Sequence, residues 1–188
     1  TRTIQETGRR HLADVGPAAL SLRAIAREVG MVSSAVYRYF PSRDELLTAL
    51  LIECYDELGA AVEAAEAAVA DRGDLAARFT TVCTAVRDWA RRHPHEYALL
   101  YGSPVPGYRA PSTTVAPASR VPMVLLTIAV EQQRTGRPLG AHARPVSEAE
   151  RHALSGVREV APGPIGDALL ARSVQAWATL FGHVSLEV

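Results

Sequence analysis

The run SLRAIAREVGMVSSAVYRYF, Ser21 to Phe40, decides the fold. Leu22, Ile25, Ala26 and Val29 fall at i, i+3, i+4 and i+7, one face of a helix. Ser21 stands ahead of them as an N-cap. Gly30 ends the helix, because the left-handed backbone that closes a last turn costs little only for glycine. A second short helix starts three residues on, with Ser33 or Ser34 as its cap and Val36, Tyr39 and Phe40 facing inward. Pro41 stops it, having no N–H and restricting the residue before it. Two short helices joined by a tight glycine-containing turn form the helix-turn-helix pattern. Ala26 is the small residue expected where they cross.

The outward residues of the second helix are Ser33, Ser34, Ala35, Tyr37 and Arg38. Hydroxyls, a methyl, a phenol and a guanidinium suit the base edges of a major groove and its phosphate rim. An ordinary helical hairpin would carry the same alanine, glycine and proline, so the next stretch matters. PSRDELL, Pro41 to Leu47, opens a further helix with Ser42 and Glu45 spaced as a capping box. The free N–H groups at that start, with Arg43 beside them, suit a phosphate.

The runs LSLRAIAREVGM and SAVYRYFPSRDELL resemble the DNA-binding domain of TetR-family transcriptional regulators, over residues 1 to about 52. Tyr39 stands where many members have histidine, and both can bond a phosphate. The resemblance implies a homodimer on a palindromic operator in double-stranded DNA, with each recognition helix in a major groove. It puts Ser33, Ser34, Ala35 and Arg38 at the bases or their edges. It puts Arg23, Tyr37, Tyr39, Ser42 and Arg43 on backbone phosphates. Residues 53–188 would then be a helical ligand-binding and dimerisation domain.

Composition sets the outer bounds. The chain has 188 residues and is 48% hydrophobic, enough for a globular core or two smaller ones. Its net charge is zero, but residues 1–50 hold seven arginines against five acids and the rest thirteen against fifteen. This is a mild basic bias at the N-terminal end. No apolar run of roughly 18 residues is evident, so no membrane partner is expected. The chain starts at Thr1 without a signal peptide or a methionine, so earlier residues are expected to be missing. Cys54 and Cys83 fall in helical patterns without metal spacing, and read as reduced structural thiols of a cytoplasmic protein.

The remaining chain reads as helices throughout, so the fold class is all-α. A first helix, Thr1 to Val15, points Ile4, His11, Leu12 and Val15 inward and leaves Arg9 and Arg10 solvated. A long fourth helix runs from Ser42 to about Ala70, about 40 Å from the helical rise per residue. Its stripe is Leu47, Leu51, Cys54, Leu58, Val62, Ala65 and Val69. Asp74 caps a fifth helix carrying Leu75, Phe79, Val82, Val86 and Trp89. A short sixth covers Glu96 to Tyr101. Residues 102–120, rich in proline, form a loop. A seventh helix spans Ala118 to Arg134, and an eighth, opened by a Ser147–Glu150 capping box, runs to about Val160. The last starts at Asp167 with Leu170, Val174, Trp177, Phe181, Val184 and Val188 in line. Leu169, Ala176 and Leu180 lie off that line, so a second face is left for a partner subunit. A further C-terminal helix is expected beyond Val188.

The ligand candidates are Trp89, His93, Tyr97, Tyr101, Met123, Trp177 and Phe181, apolar walls with a few polar tips. At helical spacing such residues are also ordinary core, and Trp177 and Phe181 also suit a dimer contact. The stretch HPHEYALLYGSPVPGYRAP resembles the start of the ligand domain in a TetR subgroup marked by a tryptophan-then-His-Gly signature. Here the late run is Trp177-Ala-Thr-Leu-Phe-Gly182-His183, with histidine and glycine displaced. His93-Pro94-His95 lacks the further ligands of a metal site, so neither metal nor cofactor is expected. The resulting reading is a repressor released from its operator by a small hydrophobic or amphipathic effector. The alternatives are a small all-helical enzyme or a protein-binding module. No G-x-S-x-G elbow, glycine-rich phosphate loop or C-x-x-C pair supports the enzyme.

Overall fold

In a computed structural model, which describes residues 1–136 and 145–188, the chain folds into ten α-helices with no strand among the described residues. They are α1 (Arg2–Val15), α2 (Leu22–Glu28), α3 (Ser33–Tyr39), α4 (Arg43–Ala67), α5 (Leu75–Arg92), α6 (Pro94–Tyr101), α7 (Val115–Arg134), α8 (Glu148–Ala153), α9 (Ser155–Glu159) and α10 (Asp167–Glu187). The expected loop over residues 136–145 lies largely outside the described residues.

Helices α1 to α3 and the start of α4 enclose the first core: Ile4, Leu12, Leu22, Ile25, Ala26, Val36, Phe40, Leu46, Leu47 and Leu50. The turn between α2 and α3 closes as the periodicity requires. Gly30 sits at φ 68°, the Gly30 N–H reaches the Arg27 carbonyl at 3.3 Å, and the Met31 N–H reaches the Ala26 carbonyl at 2.9 Å. This pair of bonds is the Schellman closure. Ser21 caps α2 by accepting from the Ala24 N–H. The cap of α3 is Val32, not Ser33 or Ser34, and no side chain closes it. Tyr39 points outward at 53% exposed, and Val15 likewise at 53%. Both lie on the far side of their helices from the core stripe.

Helix α4 leaves this core and enters a second, built from Cys54, Leu58, Val62, Val82, Val86, Trp89, Tyr97, Val121, Leu125, Phe181 and Val184. It is three residues shorter at its C-terminal end than the alanine-rich pattern predicts, and Ala65 and Val69 are only half-buried. Gly59 is buried under Arg120 of α7, whose side chain crosses the glycine to reach Asp56 at 3.0 Å and Glu63 at 2.6 Å. In α5, Asp74 caps by accepting from the Ala77 N–H at 2.9 Å, while Phe79 is exposed rather than inward. A third cluster, Leu126, Val130, Leu154, Ile165, Leu169 and Leu170, ties α7 to α10.

Helix α7 begins at Val115, within the expected proline-rich loop. Pro117 falls in its first turn, where the missing N–H has no partner to lose. Pro122 lies in its interior. By length and composition the Ser112–Arg134 segment could cross a membrane, contrary to the reading of the sequence. It packs instead against α4, α5 and α10, and Arg120 and Glu131 make ion pairs from it. The expected eighth helix is two, broken at Leu154, whose side chain is buried. Its capping box is complete: Ser147 and Glu150 each accept from the other's N–H.

Candidate nucleic-acid interface and aromatic cluster

Helices α2 and α3 hold an exposed face. Arg23 opens α2, and Ser34, Tyr37, Arg38 and Tyr39 stand outward on α3, with Ser42 exposed at the start of α4. Ser33 and Ala35 are half-buried. Among the described residues Arg23 and Arg38 make no ion pair, so both cations are available to a polyanion. Arg43 is engaged. It donates to the Pro17 carbonyl at 2.8 Å and ties down the connection before α2. Ser42 accepts from the Glu45 N–H at 3.1 Å, one half of the expected box. The carboxylate that ends α2 is paired within the fold: hydrogen bonds from Arg10 and His11 hold Glu28 below the usual carboxylate range, so it stays ionised.

Arg9 is not solvated as its neighbour is. It forms a two-pronged pair with Glu57 at 2.7 and 2.9 Å and reaches Glu53 at 3.4 Å, fastening α1 to α4. The first core also extends beyond residue 52. Leu99, Val105 and Tyr108, from α6 and the segment after it, pack against it, and the Tyr108 hydroxyl meets the Thr48 hydroxyl at 2.9 Å.

The sequence candidates for ligand contact divide into three places. Tyr97, Tyr101, Trp177 and Phe181 form one cluster, with ring centroids 4.2 Å apart for Tyr101–Phe181 and 4.4 Å for Trp177–Phe181. Tyr97 lies parallel to Phe181, and its hydroxyl donates to the Phe181 carbonyl at 3.0 Å. Tyr55, which sequence periodicity did not single out, adds an edge contact to Tyr101. The Tyr101 hydroxyl is buried with no hydrogen-bond partner, and burial shifts its pKa upward. Trp89 and His93, four residues apart, meet with ring centroids 5.1 Å apart and planes tilted by 31°. Met123 faces the third cluster instead. Trp89 and Tyr97 are packed, each 2% exposed. One half-open pocket lies between α7 and α10, about 230 Å³, lined by Trp177, Pro122, Leu125, Leu126, Val157, Ser173 and Val174. A second, of about 340 Å³, lies across Leu125 and Ser173 and includes Phe79, which accounts for the exposure of that ring.

Comparison with known proteins agrees with this architecture. Residues 4–50 match the family described as bacterial regulatory proteins, tetR family, and residues 79–188 match the tetracyclin repressor-like C-terminal domain. The HTH-type transcriptional regulators Rv1816 of Mycobacterium tuberculosis and Mb1846 of Mycobacterium bovis are each 42% identical, over 98% of this chain and 79% of their own length. The crystal structure of the regulatory protein SCO4313 superposes with a TM-score of 0.78 at 34% identity, covering 98% of this chain and 81% of that one. A Rhodococcus sp. RHA1 protein of unknown function follows at 0.62 and 26%, covering 95% and 93%. Two family matches, one over the helix-turn-helix and one over the C-terminal half, and relatives that are regulators rather than enzymes, place the chain in the TetR family of DNA-binding transcriptional regulators.

Proposed function

We propose that the protein is a cytoplasmic, homodimeric repressor that leaves a palindromic operator when a small hydrophobic or amphipathic molecule binds residues 53–188. Residues 1–52 are the DNA-binding part in this reading. Ser33, Ser34, Ala35 and Arg38 meet base edges, and Arg23, Tyr37, Tyr39, Ser42 and Arg43 meet phosphates. The stretch from His93 to Pro111 and the late run from Trp177 to His183 put the ligand domain in the subgroup with a tryptophan-then-His-Gly signature, with histidine and glycine displaced in this chain.

The observation that carries the ligand response is the position of α6. Tyr97 and Tyr101 on this helix belong to the aromatic cluster, while Leu99 packs against the DNA-binding core. A molecule that enlarges the space beside Trp177 therefore pushes on an element that also touches α1 and α4. Such a molecule shifts the equilibrium only by its preference for the conformation that does not hold DNA. Dimer formation is supported by the outer side of α10, where Gln175 and Ala178 border an open groove of about 600 Å³ shared with Val146, Ala153 and Leu154.

The test uses the full chain and a duplex enriched from a random pool. A panel of neutral aromatics and medium-chain fatty acids is screened for a rise in melting temperature, then for release of the duplex. At a hundredfold excess over its dissociation constant a true effector stabilises by about 2.7 kcal/mol. Compounds that stabilise the protein but leave the duplex bound would show that the domain does not signal to α3.

A further inference from the structure

We infer that Val32 reads the methyl group of a thymine in the operator. Val32 is 71% exposed, more than Tyr37 at 39% or Tyr39 at 53%, although it is a β-branched apolar residue. It also occupies the N-cap of α3, where valine is among the poorest choices, and no side chain caps the helix. Two local preferences fail at one residue, and Val32 belongs to none of the three apolar cores. Its neighbours behave otherwise: Met31 packs against the first core and Val36 is fully buried. Such a conflict between local preference and fold marks a functional position.

Chemistry names the partner. Residues at the N-terminal end of a recognition helix contact base edges. In the major groove every base-pair pattern is made of donors and acceptors except for the thymine C5 methyl, which welcomes an apolar side chain. Ala35, the other apolar candidate on α3, is half-buried and less able to reach it. The assignment rests on α3 lying in the major groove.

The experiment replaces each thymine of the enriched duplex by deoxyuridine, one position at a time, which removes only the methyl. Binding is measured for the parent chain, for Val32→Ala and for Val32→Ser. The parent should lose about four-fold at one thymine position, the value of one buried methyl. Val32→Ala should bind the thymine and uracil duplexes equally at that position. Val32→Ser should show the same indifference while melting no lower than the parent, because serine caps the helix. That arm separates lost reading from lost folding. If uracil costs Val32→Ala as much as the parent at every position, or costs the parent nothing anywhere, the inference is wrong while DNA reading stands. If no duplex is enriched at all, both fail.

Discussion

Arg23 and Arg43 have the same charge and the same proposed phosphate role but differ in freedom. Arg23 is exposed and unpaired among the described residues, whereas Arg43 holds the Pro17 carbonyl. Arg23→Ala should therefore weaken DNA binding equally for all sequences and flatten the salt dependence by about one unit. Arg38→Ala should change which bases are preferred. A selection experiment in which both variants keep the parental preference would remove Arg38 from the bases. Cysteine chemistry gives a second check at this scale. Cys54 is fully buried, and burial pushes its thiol up to about 12, while Cys83 is half-buried. The thiolate is the reactive form, so an alkylating reagent at pH 8 should label Cys83 first and Cys54 only on unfolding. Equal rates for the two would contradict the packing around Cys54. The exposure of Ser34, Tyr37 and Arg38 was legible from helical spacing. Arg9 and Arg43 were not, because their partners are a carboxylate 48 residues away and a carbonyl 26 residues away.

Helices α4, α5 and α7 meet around a charge that periodicity assigned to no role. Arg78 is 2% exposed and lies between Glu66 of α4 and Glu131 of α7, with the Arg72 carbonyl as a further acceptor. Burial alone would raise the Glu66 carboxyl, but hydrogen bonds from Arg72 and Arg78 outweigh it and hold it below the usual range. Removing Arg78 takes the ion-pair partner from Glu131 and leaves Glu66 with Arg72, so Arg78→Ala should destabilise by about 3 kcal/mol in a denaturant titration. The pH dependence has a definite sign. A carboxyl with a lowered folded pKa stabilises above its unfolded value, and that contribution vanishes as pH falls through the folded value. Glu66→Gln should therefore flatten the acid limb of the melting curve and leave neutral-pH behaviour without that slope. An unchanged acid limb would mean that Glu66 is not ionised in the pair. At Gly59 two effects oppose. Alanine normally favours a helix interior by about 1 kcal/mol over glycine. Here its Cβ would stand 2.7 Å from the Arg120 Nε, so the guanidinium must leave Asp56 and Glu63. We expect Gly59→Ala to lower the melting temperature; a rise would show that Arg120 relocates without loss.

For the whole molecule the sharpest prediction concerns assembly. Leu180, which the apolar pattern of α10 assigns to a partner, packs partly buried against the second core, and Leu169 is buried in the third. A charge at Leu180 would therefore damage the fold. The outer side of α10 runs instead through Ala178 and Gly182, both exposed, and a Cβ at Gly182 would meet nothing within 4 Å. Ala178→Arg should leave the melting of the isolated chain intact, halve the mass seen by light scattering, and abolish binding to a two-half-site duplex. A variant that stays dimeric would move the subunit contact elsewhere.

The all-helical class, the helix-turn-helix and most helix starts were legible in the sequence. These depend on interactions within a few residues: apolar spacing, a capping hydroxyl, a glycine where φ must be positive. On α3 the spacing exposed Ser34, Tyr37 and Arg38, as observed, but also Ser33 and Ala35, which are half-buried, and it turned the exposed Tyr39 inward. The lean of α6, the burial of Arg78, the contact of Tyr55 with Tyr101 and the pocket beside Trp177 arise from tertiary packing. Each of these depends on residues far apart in the chain approaching within a few ångströms. Local periodicity says that a side chain is covered; it carries no information about which distant element covers it.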